Sequence, residues 1–211
     1  GGRAVGVSVA GNGSDGSEIR SRVVVDASGF ATLIGRQLGL RGDVPGLVKA
    51  SLWSYYQGGH RLEGIDAGET TIFRLPSGGW FWYIPLPDDI VSVGVVSAPG
   101  LLFEDEKPDE KIFEREVQYC APLCERLARA TRTAPVRGVR QLAYANRQTS
   151  GDGWLMIGDA RAFLDPIYSS GLYLALASAE LAAKCVHEAL EAERLALEHQ
   201  KLTVHPGNYD S

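Results

Sequence analysis

Two stretches of this chain run apolar for a few residues, stop at an aspartate and continue in small residues. The first is Arg22-Val23-Val24-Val25-Asp26-Ala27-Ser28-Gly29 and the second is Trp154-Leu155-Met156-Ile157-Gly158-Asp159-Ala160. Each reads as a strand ending in a carboxylate, with a glycine that lets a ligand approach the backbone. Asp26 has two readings, a ligand-side carboxylate or the cap of a strand-to-helix turn. Asp159 likewise either accepts a hydrogen bond from a sugar-like hydroxyl or caps its own turn. Beyond it, Asp165-Pro166-Ile167-Tyr168-Ser169-Ser170-Gly171-Leu172 is a compact turn that opens a long helix near Ser170. Asp165 is a candidate cap for that helix. The first N–H groups of a helix lack intrahelical acceptors and sit at the positive end of its dipole. Ser170 and Gly171 therefore suit a small anion or an electron-rich ligand oxygen.

Trp80-Phe81-Trp82-Tyr83-Ile84-Pro85 is the third chemical feature. As a strand it sends Trp80, Trp82 and Ile84 to one face and Phe81 and Tyr83 to the other. An aromatic core strand and an aromatic wall beside a ligand both fit that pattern. Gly11-Asn12-Gly13-Ser14-Asp15-Gly16 matches G-x-G-x-x-G letter for letter. That fingerprint needs a helix directly after it, so that the helix N-terminus can hold a pyrophosphate. Here residues 19–25 are β-branched and strand-like, and a hairpin loop is the better reading. Three cysteines give no even disulfide framework, and Cys120, Cys124 and Cys185 read as reduced core thiols. The four histidines lack metal-ligand spacing with them, so no metal site is expected.

The elements that must position these groups follow from the pattern. Residues 4–9 and 19–25 read as two strands joined by a polar turn, with a short helix following through about Leu38. Residues 47–56, 70–75, 80–86 and 91–97 read as an antiparallel sheet punctuated by Pro-, Gly- and Asp-bearing turns. Residues 108–131 read as helix, interrupted near Pro122 by its missing N–H. Residues 136–144 and 154–157 read as strands, the second buried on both faces. The helix over 171–197 would extend about 40 Å. With Glu180 as the single charge of its first half, that half is expected to be buried nearly all round and the second half to be amphipathic. The expected fold is mixed α/β. Residues 1–46 and 148–198 form an incomplete doubly wound nucleotide-binding domain, residues 47–147 a mainly antiparallel sheet domain inserted into it, and residues 199–211 a loose tail.

Of the 211 residues, 45% are apolar and 22% charged, a balance that supports a packed core and excludes wholesale disorder. The net charge of -5 carries no basic stripe, which argues against nucleic acid or an anionic membrane as the main partner. The longest apolar run, 172–183, falls short of the roughly 20 residues a membrane span needs. No stable membrane insertion and a cytoplasmic location are expected. The sequence lacks an initiator Met and any leader pattern, and is expected to be an internal or C-terminal piece of a longer protein.

The pattern G-D-A-x-x-F-x-D-P-x-x-S-S-G over residues 158–171 resembles the second cofactor motif of FAD-dependent oxidoreductases of the hydroxybenzoate-hydroxylase type. Residues 22–29 are similar to the middle motif of the same class. The D-P-I-Y-S-S-G form, together with W-x-W-x-I-P at residues 80–85, is similar to the flavin-dependent, tryptophan-halogenase-like branch. The resemblance covers about residues 1–198. It implies FAD as cofactor, its reduced form supplied by a separate flavin reductase, and chloride or bromide as co-substrate. It further implies that Asp26, Gly29, Gly158, Asp159, Pro166, Ser169, Ser170, Gly171 and Leu172 contact FAD, with Asp159 at the ribityl chain and residues 166–172 along the isoalloxazine. Ser170 and Gly171 would hold the halide, and Trp80, Trp82, Ile84 and Pro85 would line the substrate side. The implied reaction turns halide into hypohalous acid, which a lysine delivers to a small aromatic substrate, phenolic or pyrrolic, free or carrier-protein-bound. That lysine and the phosphate-binding loop lie in the family's N-terminal region, outside this chain, so no catalytic residue is assigned here. A monooxygenase or a geranylgeranyl-reductase-like enzyme on the same fold is the alternative. A further one is a non-catalytic fragment unable to hold FAD by itself.

Overall fold

The computed structural model describes residues 2–11, 14–103 and 108–203. Its contacts divide the chain into two compact units, Gly1–Gly42 with Ala145–Ser211, and Asp43–Tyr144. The first unit opens with β1 (Gly6–Gly11) paired antiparallel to β2 (Ser14–Arg20), in a register running from Gly6 opposite Arg20 to Gly11 opposite Ser14. The G-x-G-x-x-G match therefore lies in a hairpin, with Asn12 and Gly13 outside the described residues. The strand expected over 19–25 is in fact two, because its halves have different partners. Ser21 N–H still donates to Val5 O, whereas Val24 N–H donates to Gly153 O. A separate strand, β3 (Val24–Asp26), begins there and is followed by a 3-10 turn (Gly29–Ala31), α1 (Leu33–Gln37) and β4 (Arg41–Gly42).

The second unit is a sheet with helices on one face. Its elements are β5 (Ala50–Gln57), β6 (Thr71–Arg74), β7 (Trp80–Pro85), β8 (Ile90–Ser97), α2 (Pro99–Leu102), α3 (Asp109–Gln118), α4 (Ala121–Leu127), β9 (Thr131–Arg132) and β10 (Arg137–Val139). The strands run in the order β10-β5-β8-β7-β6, with β9 beside β5, and the paired strands are antiparallel. Period-two alternation sends Leu52, Phe81, Tyr83, Val91, Val93 and Val95 into a core with Ile112, Phe113 and Leu123, all fully buried. Phe81 meets Phe113 edge-on at 6.2 Å between ring centres. The other face of β7 carries the tryptophans, with Trp80 and Trp82 ring centres 6.0 Å apart. Trp82 lies opposite Gly94 of β8, where a Cβ would collide with its indole ring. Its Nε1–H donates to Ser92 Oγ at 3.1 Å. The absent side chain of Gly94 thus makes the bed on which the indole rests.

Two boundaries differ from expectation for physical reasons. The helical break falls at Tyr119 and Cys120 rather than at Pro122, which occupies the first turn of α4, where a missing N–H costs nothing. The strand expected over 136–144 stops at Val139, because Arg140 turns away to pair with Asp109 (2.9 Å) and to stack over Phe103 (4.0 Å to the ring centre).

The remainder of the first unit comprises β11 (Tyr144–Asn146, from its second residue), β12 (Ser150–Gly151), β13 (Trp154–Met156), a 3-10 turn (Gly158–Ala160), β14 (Ala162–Phe163) and α5 (Gly171–Thr203). In one three-stranded sheet β13 sits between β12, antiparallel, and β3, parallel; in another β11 sits between β14 and β4. Trp154 and Met156 are buried and Leu155 is half-buried, so of the two faces expected to be buried one is fully so and the other partly. At 33 residues α5 is about 50 Å long and continues past the predicted end at Leu197. The tail expected from residue 199 is helix as far as Thr203, and its remainder lies outside the described residues. The expected all-round burial of the first half of α5 is overturned: Leu172, Tyr173, Leu174 and Leu176 are all more than half exposed. Among the described residues the Gly158–Ala160 turn packs against the Ala175 side of that half and leaves its other faces to solvent.

Gly94→Ala is expected to destabilise the chain by about 1–3 kcal/mol through overpacking against Trp82. Urea unfolding followed by tryptophan fluorescence checks it, and an unchanged midpoint would contradict the packing described.

Candidate functional site

The parallel pair sets Val24 opposite Trp154, Val25 opposite Leu155 and Asp26 opposite Met156. Ile157 N–H donates to Asp26 O at 3.0 Å, extending the ladder by one residue. Both aspartate-bearing turns therefore leave the same sheet edge side by side. The Asp26 carboxylate is buried, and its two oxygens accept Ser28 N–H (3.0 Å) and Ile34 N–H (2.8 Å). It takes the capping role. It fixes the shape of the Ala27–Ala31 turn and the start of α1.

That turn brings Gly29 round at φ +62°, where a Cβ would meet no atom within 4 Å. Opposite it, Gly158 adopts φ +54° and lies so close to α5 that a Cβ would sit 3.1 Å from Ala175 Cβ. Gly158 N–H donates to Ser178 Oγ at 2.9 Å, and that hydroxyl donates to Ala175 O at 3.0 Å. Gly171, Ala175 and Ser178 fall at steps of four and three along α5, a single small-residue face against which the turn seats. Between these walls is a cavity of about 260 Å³ lined by Ala27, Gly29, Ile157, Gly158, Asp159, Gly171, Leu172 and Ala175.

Five of the predicted contact residues, Gly29, Gly158, Asp159, Gly171 and Leu172, are thus brought together. Pro166, Ser169 and Ser170 lie in the approach to α5 and outside the lining. Ser169 stands at φ +50° with its N–H donating to Pro166 O (2.9 Å), and Ser170 O accepts Leu174 N–H (2.9 Å), the opening bond of the helix. Asp165 accepts Ile167 N–H at 2.9 Å and so closes the turn instead of capping α5. Trp80, Trp82, Ile84 and Pro85 belong to the other unit. Ala27, Ile157, Ala175 and Ser178 were not anticipated. The 171/175/178 spacing of small residues was the available signal for the last two.

Burial pushes the Asp159 carboxyl above the usual carboxylate range. Gly29 and Gly171 expose bare backbone to the cavity, since a Cβ at either meets nothing within 4 Å. A partly desolvated carboxyl, two bare backbone edges and the start of a long helix make a site for hydroxyls and negative charge. Its volume is smaller than the roughly 300–1,000 Å³ of complete small-molecule pockets, as for one edge of a larger ligand. A second cavity, of about 640 Å³, lies between β13 and the middle of α5, walled by Trp154, Leu181, Val186 and Leu190. Arg3 at its rim pairs with Asp152 (3.8 Å) and Glu193 (3.7 Å). Burial also pushes the pKa of the Cys120 thiol above its usual value. Among the described residues no cluster of His, Cys, Asp and Glu could hold a metal ion, and no helix is long and apolar enough to cross a membrane.

A raised folded-state pKa means that Asp159 contributes stability below its unfolded pKa, which is lost as pH rises through the folded value. Asp159→Asn is therefore expected to gain stability relative to the parent as pH rises across that window. Parallel urea titrations of both proteins from acid to neutral pH check it; a constant difference would mean an ordinary, solvated carboxyl.

The tryptophan halogenase family model matches residues 7–201. A pyrrole-2-carbonyl peptidyl-carrier-protein chlorinase of Pseudomonas fluorescens is 32% identical over 179 residues, covering 82% of this chain and 40% of the relative. Tryptophan 2-halogenase of Chondromyces crocatus is 33% identical over 180 residues, covering 83% and 34%. Among solved structures, the myxobacterial chondrochloren halogenase CndH, a variant of FAD-dependent halogenases, superimposes with a TM-score of 0.82 at 33% identity, over 90% of this chain and 45% of that one. The chain thus spans less than half the length of these relatives.

Proposed function

Because this chain belongs to the tryptophan halogenase family, we propose that it carries one wall of the flavin site of an FAD-dependent halogenase acting on a small aromatic substrate. The observation that carries this reading is the cavity where bare backbone at Gly29 and Gly171 converges with the desolvated Asp159 carboxyl. These residues fit a flavin: the openings beside the two glycines admit a planar edge, and the carboxyl accepts a hydrogen bond from a ribityl hydroxyl. When bound, reduced FAD with oxygen supplies the oxidising power that converts halide to an electrophilic halogen. The chain's own tasks are binding and orientation. Hydrogen bonding from the hydroxyl favours the ionised form of Asp159 and opposes the upward push of burial. The first-turn N–H groups of α5 at Ser170 and Gly171 hold chloride or bromide beside the cofactor edge, with Pro166, Ser169 and Leu172 shaping the approach. The Asp26 cap holds the Gly29 turn in place for the same ligand.

We assign Trp80, Trp82, Ile84 and Pro85 to the substrate side, within a substrate domain of residues 47–147 set between cofactor-binding segments 1–46 and 148–198. The bond from Trp82 to Ser92 presets the indole, so ring orientation is fixed before a substrate arrives. The chlorinase relative acts on a pyrrolyl group attached to a carrier protein, which favours a pyrrolic, carrier-bound substrate over a free one. A separate flavin reductase supplies the reduced cofactor, and three free cysteines favour the cytoplasm. The exposed apolar run at the start of α5 and the outer edge of β3, unpaired among the described residues, support a cofactor domain only partly contained in this chain.

Two outcomes are expected. Titration of this chain alone with FAD, followed by flavin fluorescence, gives no submicromolar binding; tight binding would contradict the incompleteness. In a form extended to the length of its relatives, Gly171→Leu leaves stability within about 0.5 kcal/mol, because the side chain enters open space. The same change abolishes halogenated product from an aromatic acceptor. Oxygen insertion without halogen in the unsubstituted protein would turn the reading to a monooxygenase.

A further inference from the structure

Asn146 occupies a place that its role as a short β-strand residue does not account for. Its side chain is buried, and its Nδ2 group donates to two successive carbonyls, Ala160 O at 2.8 Å and Arg161 O at 3.0 Å. Its backbone N–H donates to Arg161 O as well, at 3.1 Å. These carbonyls close the turn that bears Asp159. Two carbonyl neighbours fix which end of the amide is nitrogen, since an oxygen there would face like charge. The other end, Oδ1, presses on Gly35 of α1, where any side chain would collide with it, and it has no hydrogen-bond partner. A buried, unpartnered acceptor is uncommon and calls for a reason. Gly35 follows directly on Ile34, whose N–H is held by Asp26, and the same carboxylate holds Ser28 N–H, so the amide touches the helix that Asp26 ties to the Gly29 turn. One side chain therefore grips the Asp159 wall with its donors and abuts α1, the helix that follows the Gly29 turn, with its acceptor.

We propose that Asn146 is a positioning residue for the cofactor site, setting the separation of the Gly29 turn from the Asp159 turn. The proposal rests on the flavin reading of that cavity. Asn146 touches no cofactor; it acts through the turn at Gly158–Ala160. A leucine or an aspartate of similar shape fills the space equally well, but neither donates to Ala160 O and Arg161 O. An aspartate puts one carboxylate oxygen where Nδ2 stands, facing two carbonyl oxygens.

The test uses Asn146→Asp and Asn146→Ala in the form extended to the length of its relatives, with FAD affinity measured by fluorescence titration and thermal melting run in parallel. Asn146→Asp is expected to weaken FAD binding more than Asn146→Ala, by about tenfold or more against the parent. Space filling alone predicts the reverse order, with Asp the milder change, and that order would overturn the proposal. Should the Asp variant fail to fold, Asn146→Ala still decides in a cycle with Asp159→Ala. If the amide acts through Asp159, the double variant binds FAD no more weakly than Asp159→Ala alone, whereas additive losses would refute it. Hydrogen exchange of the Arg161 amide, which donates to Gly158 O at 3.0 Å, reads the turn without cofactor. Asn146→Ala is expected to speed it well beyond the change at α3, and an equal change at both would overturn the positioning role. If Asp159→Ala itself leaves FAD affinity intact, the flavin reading of the cavity fails, and the exchange result still judges Asn146.

Discussion

Everything proposed for the first unit depends on three residue pairs between β3 and β13. Strands far apart in sequence are there held parallel and in register, with Asp26 opposite Met156. A parallel pair ends with both chains leaving the same edge, so the turns that follow the two strands must share one space. A slip of one residue would move Trp154 and Met156 off the buried face and carry Gly158 away from α5. The hydrogen bond from Ile157 to Asp26 O continues this pairing to the last residue before the glycine turn, which puts the carboxylate and the cavity at the strand ends. Ligand sites of open α/β sheets form at that end of the strands, for the reason seen here: it is where two loops and a helix start converge.

Closeness is then set by absent side chains. Gly158 leaves too little room for a side chain beside Ala175 and is secured by the Ser178 hydroxyl, so the turn can lie directly on α5. Gly29 and Gly171 leave bare backbone at the two ends of the cavity. The second unit follows the same logic with the opposite purpose: Gly94 yields its space to the Trp82 ring, and a polar bond to Ser92 fixes the ring's angle. Small residues set the fit in both places, and large ones fill the core on the other face of β7, where Phe81 and Tyr83 are fully buried.

The main strands of the second unit were legible because alternation of apolar residues is a local property, readable from Trp80–Pro85 or Ile90–Ser97 alone. The hairpin beneath the G-x-G-x-x-G match was legible for the same reason, since β-branched residues follow it where a helix would be required. Long-range pairing was not legible. Nothing within residues 19–25 says that Val24 leaves the hairpin for Gly153, and nothing local to Asp26 says that its oxygens reach Ile34. The exposure of Leu172, Tyr173, Leu174 and Leu176 was not legible, because an apolar helix face reports what it is suited to pack against, not what it packs against. In the site, residues with reactive groups stood out in the sequence, whereas Ala175, Ser178 and Asn146 did not, because their contribution is steric fit and backbone capture.

The central claim is that the turns after β3 and β13 form one wall of a flavin site. Hydrogen exchange of the length-extended protein, with and without saturating FAD, tests it most directly, because a bound ligand slows exchange where it closes off backbone from solvent. The account predicts slowing at residues 27–34 and 157–172, with the β1–β2 hairpin and α3 unchanged. Protection that spares both turns while FAD is bound would contradict it.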